Sequence, residues 1–123
     1  MKPKVIVIAG PTASGKTALS IELSKRLDGE IVSADSMQIY KDMNIGTAKP
    51  TEEEKCGIKH YLLDFVSPDE RFTVSQYTKL ANNAIDEIIS KGKVPIVVGG
   101  TGLYIDSLVY GTEFSRHRRW FRL

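Results

Sequence analysis

Residues 5–17 read Val5-Ile6-Val7-Ile8-Ala9-Gly10-Pro11-Thr12-Ala13-Ser14-Gly15-Lys16-Thr17. The first five are apolar, and four of them are β-branched. Such a run predicts a strand buried on both faces, as in a parallel sheet. The eight that follow satisfy G-x-x-x-x-G-K-[ST] between a predicted strand and a predicted helix, the setting a phosphate-binding loop requires. Gly10 and Gly15 permit torsions and close approaches that a side chain would block. The amides of Thr12, Ala13, Ser14, Gly15 and Lys16, at the start of a helix, present donors and partial positive charge to phosphate oxygens. Lys16 adds a full charge, and the Thr17 hydroxyl is placed for Mg²⁺. The loop implies a bound polyphosphate without saying which one; ATP or GTP, with phosphoryl transfer or hydrolysis, is the default.

Outward from this loop, strands and helices alternate. Leu19, Ile21, Leu23 and Leu27 give the first helix an apolar face, and Asp28-Gly29 ends it. Glu30–Ser33 is a second short strand leading into Asp35. Thr51 and Glu54 form a capping box for a short helix, and Tyr61–Val66 reads as a third strand. The clearest helix runs from Val74 to Lys91. Thr73 and Gln76 make its capping box, Phe72 and Tyr77 a hydrophobic staple, and Gly92 its stop. Pro95–Val98 is a further buried strand. It meets Gly99-Gly100-Thr101-Gly102 and a helix from about Leu103 to Tyr110. This order predicts an α/β fold, a parallel sheet flanked by helices with right-handed crossovers. Ligands bind such sheets at the carboxyl ends of the strands, where the first loop, Asp35 and Thr101 all fall.

Asp35 has two readings at this level: a base or metal-water ligand beside the phosphate site, or an aspartate that caps a turn. Thr101 likewise touches phosphate or serves as a helix N-cap. His60 has no second histidine or cysteine at ligand spacing. Tyr40, Tyr61 and Tyr104 read as packing or hydrogen-bonding residues.

The 123 residues fit one domain, with 41% hydrophobic and 26% charged residues. No apolar run approaches the ~20 residues of a membrane span, so no membrane partner is expected. The single cysteine, Cys56, rules out an internal disulfide and fits a reducing, cytoplasmic setting. The net charge of +2 hides an asymmetry. Residues 116–123 hold four arginines and no acid, while the remaining 115 hold 13 basic and 15 acidic side chains.

Four segments together resemble the successive signatures of the tRNA dimethylallyltransferases: residues 10–17, Ser33-Ala34-Asp35-Ser36-Met37-Gln38-Ile39-Tyr40, Asn44-Ile45-Gly46-Thr47-Ala48-Lys49-Pro50 and Val98-Gly99-Gly100-Thr101-Gly102-Leu103-Tyr104. The resemblance implies a P-loop NTPase-like sheet, and a transferase that moves a dimethylallyl group from dimethylallyl diphosphate to the exocyclic amine of the adenosine 3′ of a tRNA anticodon. It implies that the loop holds the donor diphosphate with Mg²⁺ on Thr17, and that Lys16, Asp35 and Thr101 are catalytic. It also implies that Asp35, Ser36, Met37, Gln38 and Thr101 meet the anticodon stem-loop. A cytoplasmic monomer is expected.

The chain departs from the family pattern at Lys59-His60, where paired histidines are usual, and in length, since members are more than twice as long. The resemblance covers residues 3–114. The expected organisation is therefore a partial core over 1–115, its sheet incomplete at the C-terminus, and a basic tail over 116–123 unlike the family's continuation, read as a frameshift or premature stop. The first strand is expected at or near a sheet edge. Alternatives are a small P-loop kinase, an adenylate prenyltransferase, or a noncatalytic remnant that binds phosphate or RNA through its tail.

Overall fold

The computed structural model describes residues 2–10, 15–41, 50–111 and 116–123. Thr12, Ala13, Ser14 and most of the Asn44–Pro50 signature lie outside them. The elements are β1 (Lys4–Ala9), α1 (Lys16–Leu27), β2 (Gly29–Ser33), α2 (Glu52–Lys55), β3 (His60–Tyr61), α3 (Val74–Ser90), β4 (Val94–Gly99), α4 (Gly102–Tyr110) and β5 (Arg119–Arg122). They form one parallel sheet in the order β3-β2-β4-β1-β5, the α/β architecture the alternation predicts.

The period-two rule divides β1 between two cores. Val5 and Val7 join Val32, Ala34 and Val97 beneath Tyr77, Ala81, Ile85 and Ile88 of α3 and Ile105 and Leu108 of α4. Ile6 and Ile8 point the other way, to Ile31, Ile96 and Ile21 of α1. An unbroken apolar strand is thus one that needs cover on both faces.

The helices follow local signals at their starts. The Thr51 and Thr73 capping boxes are both formed. α3 buries Tyr77, Ala81, Ala84, Ile85 and Ile88, and Gly92 takes the left-handed conformation after it. Two expectations are corrected. The apolar face predicted for α1 packs only in part. Ile21 is buried and Leu23 packs against the same core, but Leu19 and Leu27 are exposed, and Ser20 and Ser24 complete the packed face. Ser20 donates to Thr17 O and Ser24 to Ser20 O, each at 2.8 Å. Small hydroxyl residues that satisfy themselves within the helix let it lie close to the sheet, and periodicity ignores them.

The third strand is only His60–Tyr61. Leu62 and Asp64 have φ of 65° and 58°, which turns the chain away, and Val66 returns as an isolated parallel bridge to Tyr40. β1 lies near the edge of the sheet, as expected, with one strand outside it. Residues 119–122 pair with it in parallel from Lys4↔Arg119 to Val7↔Arg122, so the basic tail is a strand of the sheet. Arg118 at its start is buried, donating to Asn82 Oδ1 and to Asp86 Oδ1 at 2.9 Å.

Candidate functional site

The sheet order brings three strand ends side by side, because β4 lies between β1 and β2. Backbone bonds stitch them together. Gly10 N donates to Gly99 O at 3.3 Å, Ala34 N to Val98 O at 2.8 Å, and Thr101 N to Ala34 O at 3.1 Å. Gly99 makes this possible. A Cβ there would lie 2.2 Å from Ala34 O, so any side chain would drive β2 and β4 apart.

Gly15 is the N-cap of α1 at φ 80°, a left-handed conformation that favours glycine. Lys16, the next residue, is 8% exposed, and its Nζ donates to Gly10 O at 2.5 Å. Among the described residues no carboxylate lies within ion-pairing distance of it. A buried ammonium without a counter-ion is costly, and an anion removes that cost. Thr17, half-buried, follows on the first turn of α1.

Asp35 answers both of its readings. Its Oδ1 caps the turn that follows, accepting from Met37 N at 2.9 Å and Gln38 N at 3.3 Å. Its Oδ2 and Lys16 Nζ both lie near Gly100: a Cβ built there would be 4.0 Å from the first and 3.7 Å from the second. Thr101 sits at the N-cap of α4 but makes no side-chain cap. Its Oγ1 accepts from Ser36 N at 2.8 Å and donates to Ser36 Oγ at 3.2 Å. The hydroxyl is therefore spent on tying the Asp35 turn to the β4 loop. Met37 is exposed and Gln38 half-buried, with Gln38 O accepting from Asp64 N at 2.9 Å.

Two aromatic residues support this mouth from below. Tyr77 is fully buried, stacks on Tyr104 at 4.1 Å between centroids, and donates to Ser33 O at 2.8 Å. Burial holds both phenols above their ordinary pKa; for Tyr104, Tyr40 and the negative charge of Asp35 add to it. Tyr104 thus borders the acceptor side of the site, a role that spacing alone did not separate from packing. On the α1 side, a cavity of about 30 Å³ is lined by Thr17, Ser20, Ser33, Gln38 and His60, and the buried Ser33 Oγ has no partner among the described residues. His60 Nδ1 bonds to Ile58 O at 2.9 Å.

Among the described residues, no three His, Cys, Asp or Glu side chains lie close enough to share a metal. Mg²⁺ needs no such cage. It keeps several waters and takes one or two protein oxygens alongside phosphate, a demand that the Thr17 hydroxyl at the start of α1 fits.

A family model described as IPP transferase matches residues 38–122. The chain is 70% identical over 111 residues to a tRNA dimethylallyltransferase of Acetivibrio thermocellus, covering 90% of this chain and 36% of that protein. It is 60% identical over 114 residues to one of Staphylococcus aureus, covering 93% and 37%. Among solved structures, it is similar to the full-length tRNA isopentenylpyrophosphate transferase of Bacillus halodurans, with a TM-score of 0.87, 48% identity and coverage of 91% and 37%. A eukaryotic dimethylallyltransferase that acts on tRNA gives a TM-score of 0.84 at 44% identity, covering 86% and 26%. The chain spans little more than a third of the length of the curated relatives it matches. With most of its length matched by the family model and its sheet superposing on solved members, the chain belongs to the IPP transferase family.

Proposed function

We propose that this chain carries the donor-diphosphate site and the acceptor-side carboxylate of a tRNA dimethylallyltransferase. The reaction joins the exocyclic amine of the adenosine 3′ of the anticodon to C1 of dimethylallyl diphosphate, giving isopentenyladenosine. The observation that carries the reading is a buried Lys16, without an ion-pair partner among the described residues, and an Asp35 carboxylate that both approach Gly100. Lys16 supplies the cation that a diphosphate needs, and Asp35 the proton acceptor that an attacking amine needs.

In the transfer, the allylic C1–O bond breaks and its electron pair leaves with the diphosphate. Lys16 and the loop amides stabilise that developing charge. The amine nitrogen forms the new bond to C1, and its proton passes to Asp35 Oδ2. The Thr17 hydroxyl would hold Mg²⁺, which would supply further charge neutralisation. Thr101 holds the Ser36 backbone, and through it Asp35, at the required place. Ser36, Met37 and Gln38 form the face offered to the tRNA, where Met37 is already exposed. The target base must leave its stack to reach Asp35, as bases do when enzymes act on them. The chain is read as a cytoplasmic monomer.

Calorimetric titration of the chain with dimethylallyl diphosphate and, separately, with ATP, each with Mg²⁺, tests the reading. Tighter binding of the prenyl donor is expected, and Lys16→Met should weaken it roughly tenfold to a hundredfold, the worth of one charge-assisted hydrogen bond. Preference for ATP would replace the reading with that of a kinase.

A further inference from the structure

In a regular strand, successive residues face opposite ways, so only alternate residues bond to a given neighbour. The segment after β3 breaks this rule. Asp64 N donates to Gln38 O at 2.9 Å, and Phe65 N and Val66 N both donate to Ile39 O, at 2.8 and 3.0 Å. Three consecutive amides thus converge on two consecutive carbonyls. The torsions that separate the first of these amides from the second are those of Asp64, whose φ is 58°. A left-handed residue swings adjacent N–H groups to one side, which is how the backbone makes concavities for anions. Here carbonyl oxygens of the chain itself fill the concavity. Leu62, with φ of 65°, opens the same turn. Such torsions are costly for a residue that carries a Cβ, and backbone strain of this kind gathers at functional sites. Asp64 is exposed, so burial of its side chain does not impose them.

The two carbonyls belong to the far end of the Asp35 turn. Gln38, whose O is held by Asp64 N, gives its own N–H to Asp35 Oδ1 at 3.3 Å. Lys41 N returns to Val66 O at 2.8 Å, and Ile39 and Val66 are both buried, which anchors the contact in the interior. The near end of the turn is held by Thr101 through Ser36 N.

We propose that Asp64 is a positioning residue for the acceptor side: its left-handed backbone, rather than its carboxylate, aims the amides that hold Gln38 and Ile39. The tRNA-facing turn is thereby fixed between Thr101 at one end and residues 64–66 at the other. This rests on the function proposed above and deepens it. Asp64 acts through Gln38 and Ile39, not on the reacting atoms.

The test compares substitutions that treat the backbone differently. Asp64→Gly and Asp64→Ala both remove the carboxylate, but only glycine takes left-handed torsions without penalty. Asp64→Val opposes them further. Binding of a synthetic anticodon stem-loop RNA with adenosine 3′ of the anticodon is measured by fluorescence anisotropy, and binding of inorganic diphosphate with Mg²⁺ by calorimetry, at a temperature where every variant is folded. RNA affinity should fall about fivefold or more in Asp64→Ala, the penalty of a left-handed Cβ, and further in Asp64→Val. Asp64→Gly should stay within about twofold of the wild type. Diphosphate affinity should stay within about twofold throughout, as for an independent site. In ¹H–¹⁵N spectra, the Met37 and Gln38 amides should shift in Asp64→Ala and keep their wild-type positions in Asp64→Gly.

Equal loss of RNA binding in Asp64→Gly and Asp64→Ala would overturn the inference, because the carboxylate would then be what matters. So would unchanged RNA binding in all three variants, or parallel loss of RNA and diphosphate, which marks a merely structural role. A wild-type chain that binds diphosphate but no RNA would instead remove the acceptor half of the proposed function, and the inference with it.

Discussion

Asp35 shows how one side chain holds two positions at once. Its Oδ1 is spent on the amides of Met37 and Gln38, which fixes the carboxylate plane, and its Oδ2 is left on the Gly100 side. Capping a turn and serving a reaction are not rival roles here, because the first orients the second. Tyr77 acts on the same turn from beneath. Its hydroxyl supplies a buried bond to Ser33 O, two residues before Asp35, where no water reaches. Tyr77→Phe keeps the ring and its stacking on Tyr104 but leaves that carbonyl unsatisfied. Urea denaturation should show a loss of about 1–3 kcal/mol. A loss under about 0.5 kcal/mol would mean that Ser33 O finds another donor when the phenol is removed.

Among the elements, β3 is the shortest and the most exposed to pH. Its two residues pair with Ile31 and Val32, and His60 lines the small cavity beside Thr17. Burial pushes the His60 imidazole below its ordinary pKa, against a smaller opposing effect of the bond to Ile58 O. A histidine whose folded pKa is depressed binds a proton more readily when unfolded. Stability is then full above the unfolded pKa, about 6.5, and falls as pH drops below it toward the folded value. Chemical denaturation followed from about pH 7 to about pH 5 should show a declining midpoint, and His60→Gln should flatten that decline. The neighbouring Tyr61 hydroxyl meets Glu30 at 2.8 Å, Glu87 at 2.7 Å and Lys91 at 2.9 Å, and burial pushes its pKa up to about 12. It remains protonated across this range, so it does not contribute to the decline.

At the scale of the molecule, the terminal strand decides how the sheet ends. Lone edge strands pair with other chains, and β5 spares β1 that fate. The contact is anchored by Arg118, whose side chain is 3% exposed, on α3, and reinforced by Trp120 against the core and by Arg122 at 3.7 Å from Asp106. Two of the four tail arginines are thus held by carboxylates of the fold, which reduces the charge free to meet RNA. Arg118→Met should cost about 1–3 kcal/mol. Asn82 is left unsatisfied, while Asp86, 61% exposed, regains water and keeps the loss below that of a fully buried pair. Removal of residues 116–123 should go further, bringing concentration-dependent light scattering as β1 becomes an edge. A deletion variant that stays monodisperse and equally stable would show that β5 protects nothing.

The sequence by itself determined the parts governed by local rules. The phosphate-loop spacing, the two threonine capping boxes, the apolar strands and the glycines after β1 and β4 each act within a few residues, so the parallel α/β plan and Lys16, Asp35 and Thr101 as site candidates were legible before any coordinates. Tertiary structure decided whatever depends on a partner distant in sequence. It set Ser20 and Ser24 beside Ile21 and Leu23 on the packed face of α1 and left Leu19 and Leu27 exposed. It cut the third strand to two residues at Leu62 and Asp64. It turned the Thr101 hydroxyl to Ser36, 65 residues away. It also made a strand of the arginine-rich tail, whose charge reads as solvated until Asp86 and Asn82 are seen beside it. Patterns along the chain specify which faces need burial; only the assembled sheet specifies which neighbours provide it.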